Sequence, residues 1–160
     1  MFGFIKKILG SKSDKDLKDL YPLVEEINIE FDKLKNISDD ELRNKTFEFK
    51  EIIQNNLKES DQVIDNLREK YKKSEGSLSE KENILNEIDS LKESQKEIIE
   101  KTLNELLPEA FAVVKETARR FTENESLEVT ASDLDRELAS KKDNIEIDGS
   151  KAVWYNEWSA

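Results

Sequence analysis

Apolar positions recur along the first part of the chain at alternating steps of three and four: Leu17, Leu20, Val24, Ile27, Phe31 and Leu34. That spacing returns to one face of a helix every turn, so it predicts a continuous amphipathic helix. Pro22 falls inside the pattern, where it removes a backbone donor and crowds the preceding turn; a kink or a restart is expected there. Ser38-Asp-Asp-Glu41 has the form of a capping box, the serine accepting from the amide three residues on and the glutamate reaching back. A second helix is therefore predicted from Asp39, burying Leu42, Phe49, Ile52 and Ile53, with Phe47 as a flanking contact.

The middle of the chain keeps the helical period but thins its apolar content. Leu57, Ser60, Ile64, Leu67 and Tyr71 are spaced for one face, and "SEGSLS" (Ser74 to Ser79) interrupts them. A second capping box, Ser79-Glu-Lys-Glu82, then opens a stripe of Ile84, Ile88, Leu91, Gln95 and Ile98. Two stripes around a glycine-containing loop predict an antiparallel helical hairpin. So narrow a seam buries little, and it reads either as an arm projecting from the body or as a mobile helical linker.

"LLPEAFAVVKETARRF" (Leu106 to Phe121) breaks this character, with one charge, Glu109, between Leu106 and Val114. Pro108 suits the first turn of a helix, and Phe111, Val114, Ala118 and Phe121 form its expected inward face, widened by Ala110, Ala112 and Val113. Lys115, Arg119 and Arg120 fall toward the C-terminal end, where cations complement the helix dipole. "TENESLEVTA" reads as polar and irregular. Ser132-Asp-Leu-Asp135 can cap a short helix through Ala139, and Ile145, Ile147, the turn signal Asp148-Gly149, Val153 and Tyr155 predict a β-hairpin. A lone hairpin is marginal in water, so this one wants another surface, and Trp154 and Trp158 have no obvious core.

The start is different again. Phe2, Phe4, Ile5, Ile8 and Leu9 fall on one broad arc, with Lys6 and Lys7 outside it and Lys12 following. This is a short basic amphipathic helix of the kind that lies among lipid headgroups or docks on a partner; packing on its own domain, or fraying, is the equal alternative. The lysines interrupt the apolar run and no small-residue cleavage site follows, so the segment reads as retained rather than as a signal peptide.

Composition narrows the chemistry. The 160 residues carry 39% charged and 36% apolar side chains, four Gly and two Pro, which favours a few long helices over many short elements. A net charge of −11 excludes a general nucleic-acid surface. With neither Cys nor His there is no disulfide, thiolate or imidazole metal site, and no Ser–His or Cys–His nucleophile. The catalytic, cofactor-binding and metal-binding inventory of these residues is therefore read as none, and no apolar run is long enough to span a bilayer.

Two stretches resemble a known family. "LKNISDDELRNKTFEFKEII" (Leu34 to Ile53) is similar to a pattern in which a Leu-Ser-Asp-Glu-Glu-Leu-type cap leads into a Lys-Thr-x-x-Phe helix. "LLPEAFAVVKETARRF" is similar to a Leu-Pro-Glu-Ala-Phe-Ala-Val-Val-Arg-Glu-Ala segment. In that order both resemble the N-terminus of SecA, the ATP-driven motor of bacterial preprotein translocation, and the basic start "FGFIKKILGSKSDKDLK" fits the same family. The agreement covers residues 1–56 and 105–121; the intervening charged hairpin and the segment from Thr122 onward look like insertions, and Pro22 departs from the usual uninterrupted helix.

The resemblance implies a division into a basic amphipathic helix (1–12), an N-terminal helical region (13–56), a charged hairpin insertion (57–105), a helix packing on the first nucleotide-binding domain (106–121), and an insertion with a short helix and β-hairpin (122–160). The fold class is then mainly α, with the β-hairpin belonging to an incomplete α/β nucleotide-binding domain. It implies ATP and Mg as cofactors of the full-length family, bound beyond this segment. The chain has no Gly-x-x-x-x-Gly-Lys-[Ser/Thr] loop, so it reads as the front of a longer motor and as inactive alone. The implied partners are the SecYEG channel, preprotein and an anionic membrane surface, with a homodimer left open. The implied location is cytoplasmic, peripheral on the inner face of the bacterial cell membrane. Docking would fall to Phe2, Phe4, Ile5, Lys6, Lys7, Ile8, Leu9 and Lys12. The rival reading, a non-enzymatic helical coiled-coil adaptor, explains the composition and the stripes but not the apolar helix after Leu107.

Overall fold

A computed structural model describes residues 12–157, apart from the side chains of 12–17 and of Asp19. The elements are α1 (Lys12–Leu34), α2 (Asp39–Lys73), α3 (Leu78–Glu123), β1 (Ser126–Thr130), α4 (Asp133–Ala139), β2 (Ile145–Asp148) and β3 (Lys151–Tyr155). The chain is mainly α, as its periodicity predicts. It divides into two units: the chain up to Arg43 together with the chain from Pro108 onward, and Asn44–Leu107.

In the first unit the core is the C-terminal half of α1, the start of α2 and one face of α3. Leu34, Leu42 and Ala112 are buried together, with Ile27, Phe31, Ile37 and Val113 packed against them. The α1 stripe is used unevenly, because Leu20 and Val24 remain exposed while Leu34 is covered. Pro22 lies inside α1, and no restart occurs. The carbonyl it leaves without an intrahelical partner belongs to exposed Lys18, where water can satisfy it. The Ser38 box forms as expected: the Glu41 amide donates to Ser38 Oγ at 3.2 Å, and the Ser38 amide donates to Glu41 Oε2 at 2.7 Å.

Two sequence expectations about helix starts are corrected. The third helix begins at Leu78, capped by Ser77 rather than Ser79; the Ser77 amide donates to Glu80 Oε2 at 2.9 Å. A box shifted by two residues keeps the same Ser-x-x-Glu spacing, so the sequence offers both. Nor does a helix start at Pro108, which lies inside α3. The turn before it is already helical, and the carbonyl that its missing N–H would have bonded is on exposed Asn104.

The predicted hairpin of β2 and β3 is present, with Gly149 at φ 59 in its turn. It is not alone. β1, expected to be irregular, pairs antiparallel with β3, giving the order β1-β3-β2. Leu127, Val129, Ala152, Trp154, Ile145 and Ile147 share one face by register, and Ala152 and Ile145 are buried there. The opposite face is polar, crossed by Lys151–Glu128 and by the Tyr155 hydroxyl donating to Glu146. The extra surface that the hairpin needs is thus supplied within the chain.

The second unit is the antiparallel pairing of α2 and α3. Ile64, Leu67, Ile84 and Ile88 are buried in one cluster near the loop, with Tyr71 and Leu91 packed on it.

Candidate functional site

Part of the expected inward face of α3 points the other way, although Ala112 and Val113 do turn to the core and Phe121 is half-buried. Phe111 is 54% and Val114 68% exposed, and Ala118 is exposed beside them, whereas Ala112, Glu116 and Arg120 are buried. The reason is electrostatic as much as steric. Ala112 lets the helix approach Leu34 and Leu42 closely, and one turn on, Glu116 and Arg120 find partners that only the interior provides.

Glu116 is fully buried and accepts from two guanidinium groups. Arg119 Nε donates to Oε2 and Arg119 Nη2 to Oε1, both at 2.8 Å, in the fork geometry that matches a carboxylate. Arg120 Nε donates to Oε1, also at 2.8 Å. The Arg119 hydrogen bonds, helped by Arg120 and by both positive charges, outweigh burial and hold the Glu116 carboxyl down to about 2. Arg119 also pairs with Glu123.

Arg120 carries the connection onward. Its Nη1 donates to Asp39 Oδ1, and its Nη2 donates to the carbonyls of Leu34 at 3.1 Å and Ile37 at 2.7 Å. Those carbonyls belong to the end of α1 and the turn before α2, where helix geometry leaves acceptors without intrahelical donors. One side chain therefore closes the α1–α2 corner. Burial works against its charge, but Glu116 and Asp39 more than offset it and the Arg120 pKa is raised.

A second buried carboxylate organises the sheet end. Asp135 is fully buried and is met by four hydrogen bonds and one further ion-pair contact. The hydrogen bonds come from Arg43 Nη2 at 2.8 Å, the Ser132 amide and hydroxyl at 2.7 Å each, and Trp154 Nε1 at 3.2 Å, and Arg43 Nη1 lies 2.8 Å from the second carboxylate oxygen as an ion pair. Burial pushes its pKa up, but the Ser132 bonds and Arg43 prevail and the net direction is down. The Ser132–Asp135 capping box read from the sequence is thus also the anchor for α2, since Asp40 accepts from the Thr130 amide and hydroxyl alongside it. Trp154, left without a core by the sequence reading, gives its indole N–H to this carboxylate.

Chemically this arrangement is a brace. Among the described residues every buried side-chain polar atom has a hydrogen-bond partner, and both carboxylates are taken up by protein donors. No group of three or more His, Cys, Asp or Glu is placed to hold a metal ion among the described residues. Gly76 lies in the α2–α3 loop and Gly149 in a β-turn; neither belongs to a glycine-rich loop leading into a helix with a lysine for phosphates. Among the described residues, then, no such phosphate-binding loop is present. The predicted docking residues Phe2, Phe4, Ile5, Lys6, Lys7, Ile8 and Leu9 lie outside the described residues, as does Trp158; Lys12 is the first residue of α1 and its side chain lies outside them too. No described helix is long and apolar enough to cross a membrane.

The described residues are mainly helical with a small antiparallel sheet, pair their interior charges with one another, and leave an apolar helix face outside. The sequence profile of the SecA DEAD-like domain matches residues 5–132, and the chain belongs to that family. It is 46% identical over 158 residues to the protein translocase subunit SecA of Flavobacterium psychrophilum, covering 99% of this chain and 14% of that relative. The corresponding subunit of Cytophaga hutchinsonii is 45% identical over 161 residues, and that of Bacteroides fragilis 41% over 157. These matches cover 100% and 98% of this chain, and again 14% of each relative. The hairpin and the sheet segment thus lie within aligned sequence. No solved structure gives a significant match.

Proposed function

We propose that this chain is the N-terminal part of a SecA-type motor that uses ATP and Mg, bound elsewhere in the full-length protein, to move preproteins through the SecYEG channel. The carrying observation is the family match over residues 5–132, with relatives aligned along nearly the whole chain. The segment has two tasks in this reading. Phe111, Val114 and Ala118 form a covering surface for the ATPase core, which accounts for an apolar helix face turned outward from the unit that contains it. The amphipathic start docks on the inner face of the cell membrane, through Phe2, Phe4, Ile5, Ile8 and Leu9 in the headgroup layer and Lys6, Lys7 and Lys12 on anionic lipid.

Each basic residue near such a surface contributes about 1 kcal/mol, so replacing all three lysines by glutamine weakens binding to phosphatidylglycerol vesicles by about a hundredfold. The measurement is co-sedimentation of the protein with anionic and with neutral vesicles at low and high salt. Binding that ignores lipid charge, salt and the triple substitution refutes the membrane role.

A further inference from the structure

Between Asn44 and Leu107 the two ends of the helical hairpin are joined by different chemistry. Near the loop the contact is apolar, with Ile64, Leu67, Ile84 and Ile88 buried together. In the stem, farther from the loop, no apolar side chain is buried: Ile53, Leu57 and Ile98 are half-covered, and Ile52 and Leu103 are exposed. The buried residue there is Thr102, at 3% exposure.

What crosses the stem is a pair of polar bridges. Asn56 Nδ2 donates to Thr102 Oγ1 at 2.9 Å. Gln95 Nε2 donates to Ser60 Oγ at 2.6 Å and to Asp61 Oδ1 at 2.7 Å. The two hydroxyls also donate back into their own helices, Thr102 to the Ile98 carbonyl at 2.8 Å and Ser60 to the Leu57 carbonyl at 3.1 Å. Each hydroxyl is thus fixed in direction and accepts from the partner helix in one register, the role that single polar residues play in coiled-coil seams.

The two kinds of contact respond differently to opening. Separating the loop-end cluster exposes apolar surface for which water offers no replacement. Separating the stem exchanges side-chain hydrogen bonds for bonds to water, a nearly balanced substitution, and uncovers little further apolar area. Segments with few buried apolar contacts are those that open locally while the rest of a domain stays closed.

We infer that the hairpin is a graded zipper, in which the polar-bridged stem opens and recloses while the apolar clasp at the loop end stays shut. Opening uncovers Ile53, Leu57 and Ile98 without releasing the helices from one another, and the bridges restore the register when the stem closes. The absence of cysteine makes the test direct. Spin labels are placed at Lys58 and Glu97 across the stem, and at Arg68 and Glu87 across the clasp. The stem pair gives a broad distance distribution and the clasp pair a narrow one; equally narrow distributions overturn the inference. In the unlabelled protein, amides of 53–60 and 95–102 exchange at least about tenfold faster than those of 64–71 and 84–91. Replacing the polar layer with apolar residues (Ser60→Ala with Gln95→Leu) slows stem exchange and leaves the clasp unchanged. Uniform exchange across the hairpin, or a stem unaffected by that replacement, also overturns it. Ile64→Ala serves as the control that loosens the clasp.

Discussion

Arg120 on α3 donates from Nη1 to Asp39 Oδ1 at 2.5 Å, joining the last part of one long helix to the first turn of another. Four N–H groups of this guanidinium are used in different directions, on Glu116, Asp39 and two main-chain carbonyls. A lysine ammonium is a compact point charge and cannot reproduce that fan. Arg120→Lys is expected to lower stability to urea by about 2 kcal/mol, chiefly through buried acceptors left without donors. A loss no larger than that of an exposed substitution such as Lys92→Ala would mean the corner is closed by packing alone.

Glu116 gives a pH signature. Its carboxyl is depressed from the ordinary value of 4.5 to about 2 in the folded chain, first by Arg119 and then by Arg120. Below the folded value both states are protonated and the contribution vanishes; above the unfolded value it is fully present. Stability from this group is therefore lost as pH falls from about 4.5 toward about 2. Glu116→Gln flattens the pH dependence in that window, which urea titrations at successive pH values would resolve. Glu116→Ala leaves Arg120 without a buried counter-ion and is expected to cost about 3 kcal/mol at neutral pH.

Arg43 and Trp154 meet on the Asp135 carboxylate, so a change at one should be read at the other. Arg43→Ala strands a fully buried carboxylate and is expected to destabilise by about 3 kcal/mol or more. Trp154 emission shifts to the red in that variant, while Trp158→Phe removes the other indole and keeps the assignment clean. An unchanged spectrum with unchanged stability would detach Arg43 from the sheet.

The α3 cap distinguishes two serines of the same loop. Ser77→Ala removes the residue whose amide and hydroxyl meet Glu80, and about 1 kcal/mol is expected to go with it. Ser79→Ala, already inside the helix, is expected to be neutral or slightly stabilising. Thermal melts of the two single variants settle the register; the reverse ranking would move the helix start to the later serine.

Much of the architecture was legible from periodicity. The stripe ending in Leu34, the Ser38 and Ser132 caps, the paired stripes around the loop and the Asp148-Gly149 turn are local signals, each spelled within one or two turns of chain. What was not legible depends on distant partners. β1 is five residues whose alternating Leu127 and Val129 become a strand only because β3 lies alongside. The inward turn of α3 was hidden because hydrophobicity favours Phe111 and Val114, while the deciding contacts reach from Arg120 to Asp39 and to the carbonyls of Leu34 and Ile37. Asp135 was read correctly as a cap, and nothing in its neighbourhood announces that Trp154 shares it. The docking residues at the start rest on their pattern and on the family resemblance.

The reversed helix has a practical meaning for anyone handling the protein. Edited from sequence alone, the oily letters of this helix would be spared as core and its charged letters changed, and here that habit would do harm. Phe111 and Val114 can be exchanged for serine or glutamine at little loss to this unit, whereas Glu116 and Arg120, outwardly the safest letters to change, hold its interior. A library that tolerates polar residues at the first pair and rejects alanine at the second would show that the ionic residues, rather than the greasy ones, govern how this helix sits.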